Sequence, residues 1–140
     1  SANVPTTLAL QLGAAPSFGE LQPSVDRDYT ASTTASVLAT TGSAQLTVSD
    51  PDTVATGKLV NGDYALPSPV QARGVSAKGT GGPFTAVGGS ANPTPLLNFD
   101  GAVNDPAVTL EFQQHVSVTD ALRAGQYSKT LTFTLSTTTP

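Results

Sequence analysis

The sequence predicts an all-β fold, a sandwich of short strands around one core. Three observations carry that expectation. Tyr127 to Leu135 alternates apolar and hydroxyl side chains with a period of two, the pattern of a strand with one face on a core and the other in water. Shorter stretches of the same kind recur from the N-terminal residues onward, punctuated by Gly, Pro, Asn and Asp. No stretch sustains a helical period, so strand must pack on strand.

The elements follow in order. Thr6 to Leu12 sets Leu8, Leu10 and Leu12 on one face, and Gly13 with Pro16 closes it. Phe18 to Leu21 reads as a short second strand. Tyr29 to Leu38 is long and rich in Thr, Ala and Val, and Ala44 to Val48 follows the Thr41-Gly42 turn. Asp50-Pro51-Asp52 is a loop signal. Lys58 to Val60 and Tyr64 to Leu66 flank Asn61-Gly62, the dipeptide favoured in two-residue hairpins because both central positions need positive φ.

Between Pro67 and Pro95 the chain becomes Gly- and Pro-rich, which predicts short strands and long loops. Leu96 to Phe99 is apolar again, and Gly101 to Pro106 reads as a turn. In the next strand Val108, Leu110, Phe112, Gln114 and Val116 point inward, and Thr109, Glu111, Gln113 and His115 point outward. Thr119 to Gly125 predicts a single helical turn with Thr119 or Asp120 as its cap and Gly125 as its stop. Asp120, a short turn, Gly125 and then Tyr127 match the tyrosine corner of immunoglobulin-like Greek-key sandwiches, in which a Tyr hydroxyl bonds nearby backbone. The final strand places Leu131, Phe133 and Leu135 inward. Lys129 shares their parity, which would allow a buried amine or a Lys–Asp or Lys–Asn cross-link. Its position near the strand end favours an amine that snorkels to water.

Composition narrows the function. The 140 residues suffice for one domain with a real core, residues 1–140. Charged residues are 11% of the chain, against roughly 25% in an average soluble protein, so Ser and Thr must keep the surface wet. A formal net charge of −4 with scattered Lys and Arg offers no field for phosphate backbones, and nucleic acid is not an expected partner. Cysteine is absent, which excludes disulfides and thiolate metal sites. The start Ser1-Ala2-Asn3 resembles the product of signal-peptidase cleavage, so a secreted, extracellular-surface location is expected, the alternative being a boundary within a longer chain. No apolar run is long enough to span a bilayer as a helix.

No catalytic set is visible. His115 stands on a polar face with no nucleophile or orienting acid in its sequence neighbourhood. The motifs of serine hydrolases, zinc proteases and phosphate-binding loops are missing, and the Gly79 to Gly82 run lacks the strand–helix context of a phosphate site. Asp50, Asp52, Asp100 and Asp105 are the candidate calcium ligands, since loop carboxylates of β-sandwiches bind that ion. Their spacing matches no dedicated calcium loop, and the local hydrogen bonding for which Asp is favoured in turns is the preferred account of them. No other cofactor is implied. Sugar rings stack on exposed Tyr or Trp; Trp is absent, which leaves Tyr64 and Phe84 as the candidate glycan contacts.

Phe18-Gly19-Glu20-Leu21-Gln22-Pro23, Asp28-Tyr29-Thr30-Ala31, Leu46-Thr47-Val48-Ser49-Asp50-Pro51 and Leu122 through Phe133 together resemble the immunoglobulin-like surface modules of large secreted bacterial, especially actinobacterial, proteins. The resemblance spans nearly the whole chain. A weaker similarity is to fibre-forming spore-coat and pilin-like subunits, which share an early Phe-Gly strand and a final G-x-Y-x-x-T strand but usually carry cysteines. Either implies extracellular structural or adhesive work, with no catalytic residues to carry over. A ligand-binding module, for carbohydrate or another ligand, is the alternative. For a structural role the N-terminal strand matters most. Residues 1–12 can pair within their own sandwich or be donated to a neighbouring copy, with Leu8, Leu10 and Leu12 filling pockets either way. Self-association or contact with a neighbouring surface protein is therefore the expected partnership.

Overall fold

The computed structural model describes residues 1–139, among which there is no helix. The strands are β1 (Leu8–Leu12), β2 (Arg27–Ala39), β3 (Ser43–Asp50), β4 (Val60–Asn61), β5 (Tyr64–Ala65), β6 (Gln71–Val75), β7 (Thr80–Gly81), β8 (Thr85–Ala86), β9 (Gly88–Gly89), β10 (Thr94–Phe99), β11 (Val103–Val116) and β12 (Thr132–Thr139). One sheet has the order β1-β2-β11-β6-β8 and the other β12-β3-β10-β7, with β9 joined to β3 and a separate β4-β5 hairpin. All pairings are antiparallel except β3 with β9. Among the described residues no helix is long and apolar enough to cross a membrane.

Alternation buries one face of each long strand, and in β11 that face is the expected one. Ala35, Val37 and Ala39 of β2, Leu46 and Val48 of β3, and Val108, Leu110, Phe112 and Val116 of β11 are all buried. Gln114 is also fully buried; its amide donates to the carbonyls of Ser68 and His115 at 3.0 and 2.8 Å and so ties the 67–70 segment to β11. Across the sandwich Phe112 meets Phe133 edge to face, centroids 6.1 Å apart, a pairing that matches ring edge to ring face.

Five local expectations change. The final strand, expected over Tyr127 to Leu135, begins only at Thr132, and residues 127–131 carry just an isolated bridge from Ser128 to Val60. Phe18 to Leu21 forms no strand: Gly19 has φ +74°, and among the described residues no main-chain partner pairs with this segment. The hairpin turn lies one residue later than predicted. Asn61 pairs with Tyr64, so Gly62 and Asp63 form the loop, with Gly62 at φ +62°. The 101–106 turn is shorter, because β11 already starts at Val103 and absorbs a register shift between Asp105 and Val108.

The predicted helical turn at 119–125 is replaced by a reverse turn. Asp120 closes it from both ends, its carboxylate accepting Ser117 N–H at 2.9 Å and its own N–H donating to Ser117 O at 3.0 Å. Beyond it the groups a helix would pair internally find tertiary partners. The Tyr127 hydroxyl accepts Arg123 N–H at 2.9 Å, and the Asn61 amide reaches the Arg123 and Ala124 carbonyls at 3.4 and 3.1 Å. A lone helical turn costs more conformational freedom than its first hydrogen bond returns.

The Gly-rich region is not slack. A Cβ on Gly74 would lie 2.6 Å from Leu97 Cγ, and one on Gly81 would collide with the Gly74 carbonyl. These glycines let β6, β7 and β10 pack closer than side chains permit.

Candidate binding groove and the buried Lys129 cluster

The sandwich is closed on one side and open on the other. β1 and β12 are the outer strands of their respective sheets and lie against each other without main-chain pairing. Register sets Leu8, Leu10 and Leu12 opposite Ala39, Val37 and Ala35, so all three leucines point between the sheets. Leu8 and Leu12 nevertheless keep 39% and 49% exposure, because little of the second sheet covers them.

The open side continues into a cavity of about 1110 Å³. Its floor is apolar, built from Leu59, Val70, Phe112, Leu131 and Phe133. Residues 12–23 form one wall and 122–131 the other. Each wall is tethered by a tyrosine hydroxyl: Tyr29 accepts Gln22 N–H at 2.8 Å, as Tyr127 accepts Arg123 N–H. Tyr127 thus makes the upstream backbone contact expected of a tyrosine corner. Phe18, Leu21 and Leu122 pack partly against the core from these walls. Apolar lining with a few polar groups at the mouth suits an extended apolar ligand or peptide segment.

At the rim lies a cluster that sequence reasoning assigned differently. Lys129 does not snorkel. Its side chain is 5% exposed, with the amine 3.2 Å from Asp50 Oδ2 and 3.5 Å from Asp52 Oδ2. It also donates to the carbonyls of Val54 and Ala55 at 3.1 and 3.0 Å. Ala55 adopts φ +51°, a left-handed conformation costly for a residue with Cβ, and this turns the 50–57 loop around the ammonium. Asp50 accepts the N–H groups of Asp52 and Gly57 as well, at 3.0 and 2.7 Å. Four oxygens thus face one amine, and two N–H groups donate to the Asp50 carboxylate, so the pair sits in a dense set of charge-assisted hydrogen bonds.

The four candidate calcium ligands do not converge. Asp50 and Asp52 come together, but around the Lys129 ammonium. A backbone hydrogen bond from Val54 and, less strongly, the Lys129 charge lower the Asp52 pKa. Asp100 and Asp105 lie at the opposite end of β3, since Phe99 pairs with Ala44 at the start of that strand. Asp105 is buried and accepts a short hydrogen bond from Ser76 and another from Ala107 N–H at 2.9 Å; the Ser76 bond chiefly lowers its pKa. Among the described residues no group of three or more acidic or histidine side chains is arranged to hold a metal ion.

His115 is not idle. Its Nδ1 lies 2.7 Å from Asp28 and its Nε2 3.3 Å from Asp26. The Asp28 hydrogen bond, with the charges of Asp26, Asp28 and Asp120, raises its pKa against a smaller desolvation effect. Asp28 lies directly across from it on β2, a partnership 87 residues apart in sequence. Of the candidate glycan contacts, Tyr64 is half exposed with the Arg123 guanidinium 4.3 Å over its ring, and Phe84 lies under Arg73 at 4.4 Å. One face of each ring is thereby taken.

Comparisons with models of known protein families, with curated proteins and with solved structures return no match.

Proposed function

We propose that this chain is a non-enzymatic, exported β-sandwich of immunoglobulin-like Greek-key type that does structural or adhesive work on a bacterial surface, as a filament subunit joined by donation of β1. The observation that carries the reading is the attachment of β1: one neighbouring strand holds it, and Leu8 and Leu12 are half exposed on its inward face. A neighbour's β1 docked on β2 would repeat the Leu8–Ala39, Leu10–Val37 and Leu12–Ala35 register. Exchange therefore replaces each contact with its equal, and the 13–26 connection is the hinge. Head-to-tail exchange does not close on itself, so it builds a fibre. The Tyr127–Arg123 contact supports the Greek-key assignment.

Electron microscopy of the intact chain and of a variant lacking residues 1–12 tests assembly. Fibres that vanish on deletion and return with the missing peptide support donation; an intact chain that never forms fibres overturns it. Turnover of ester, peptide or glycoside substrates, abolished by His115→Ala, would overturn the non-enzymatic assignment.

The groove favours a second reading, a binding module for an extended apolar ligand or peptide within a larger secreted protein. Saturable binding of an apolar fluorescent probe, lost in Leu131→Glu but retained in Tyr64→Ala, supports the groove. Glycan binding lost in Tyr64→Ala or Phe84→Ala would instead assign the site to carbohydrate.

A further inference from the structure

We propose that the open side of the sandwich is the interface to a second copy of this chain, in which two β12 strands pair antiparallel across a two-fold axis and join their sheets into one. This goes beyond β1 donation and does not need β1 to leave its own sheet.

The sheet edges differ in how they are protected. On the closed side the terminal strands β7 and β8 are two residues each, with Pro83 between them. Short, proline-flanked edges offer little to pair with. On the open side β12 runs for eight residues and is paired along one edge, to β3. It carries no charge and no proline between Thr132 and Thr139, the devices that ordinarily keep such an edge solitary.

Charge identifies the occupant. No Asp, Glu, Lys, Arg or His occurs in residues 1–19 or 130–140, the stretches that supply β1 and β12. Every charged side chain lies between Glu20 and Lys129, with a net charge of −4. The nearest cation, Lys129, turns its amine inward to Asp50. Glu20 and Arg123 stand on the cavity walls of the same side, but the β12 strand itself bears no charge, so two acidic copies repel least where these strands meet.

The strand is also self-complementary. A two-fold axis through Thr134 sets Thr134 against Thr134, Phe133 against Leu135 and Thr132 against Ser136. Inward residues thus meet inward residues and hydroxyls meet hydroxyls. Leu131, Phe133 and Leu135 are partly buried, so the added strand completes cover that they lack.

The chain has no cysteine, so single-cysteine variants report cleanly. The expected result is a concentration-dependent monomer–dimer equilibrium by sedimentation. Among Thr132→Cys, Thr134→Cys and Ser136→Cys, the residue nearest the axis should form disulfide-linked dimers at least about tenfold faster than the exposed control Ser32→Cys, as pre-association raises effective concentration. Thr132→Asp with Thr134→Asp should weaken dimerisation at least about tenfold through like-charge opposition, with the thermal transition retained. A chain that stays monomeric to about millimolar concentration, or cross-linking no faster than the control, overturns the proposal. Paired cysteines at Ala9 and Leu38, in register on β1 and β2, separate this interface from strand donation. Bonds between copies there, with β12 cysteines silent, establish donation and overturn the β12 interface. Bonds within one copy there, together with rapid β12 cross-linking, establish the β12 interface and overturn donation.

Discussion

Replacing Lys129 with Met removes the ammonium that faces Asp50, a carboxylate with no solvent exposure. Breaking one side of a buried pair leaves an uncompensated charge, so Lys129→Met should lower urea stability by about 3–5 kcal/mol. Adding Asp50→Asn should recover part of the loss, since no charge then remains buried. A loss below about 1 kcal/mol, the range of exposed pairs, would mean that water reaches Asp50. His115 makes a prediction of opposite character, because its site is open to solvent. Its pKa is raised in the fold, so its contribution is fully present below the unfolded value near 6.5 and is lost as pH rises through the raised value. The advantage in melting temperature of the intact chain over His115→Gln should therefore shrink between about pH 5.5 and about pH 8.5. A constant or growing advantage would dismiss the Asp26 and Asp28 pairing.

At the scale of elements, the long strands were legible because alternation is a local signal: β2, β3 and β11 contain the predicted segments, and β11 buries its predicted inward residues. The wall segments were not, because what decides them is distant. Residues 119–125 carry a helix cap and stop, yet Tyr127 and Asn61 take their polar groups instead. Packing between elements gives two measurable consequences. A double-mutant cycle on Phe112→Leu and Phe133→Leu should return a coupling of about 0.5–1.5 kcal/mol, the worth of an edge-to-face pair. Gly74→Ala should cost about 1–3 kcal/mol, since the new methyl meets Leu97 and the Leu96 carbonyl. A neutral Gly74→Ala would show that β6 and β10 can separate freely.

At the scale of the whole molecule, the two sides of the sandwich have different characters. The closed side ends in short, proline-flanked strands; the open side joins two uncharged edges over an apolar cavity. Cations bear on the closing of this architecture in a testable way. The Asp50 and Asp52 oxygens already face an ammonium, and Asp105 is occupied by Ser76 and Ala107, so a chelator should leave the melting temperature unchanged. A calcium ion bound only in the fold, at a hundredfold excess over Kd, would add about 2.7 kcal/mol. A melting temperature that falls by several degrees on chelation would reinstate calcium.

From local pattern alone the chain determines its all-β character, the inward residues of its main strands and the charge-free stretches at both ends. Each depends on side-chain type and a two-residue period, which neighbouring residues carry between them. Tertiary structure decided what those residues face. Lys129 meets the 50–57 loop about 75 residues away, and His115 meets Asp28 across a strand pair. Nothing in a linear spacing encodes either meeting. The open side, too, arises when the sheet order brings the first and last strands together without pairing them. An edge is a property of the sheet, because whether a strand has one neighbour or two depends on where every other strand has gone.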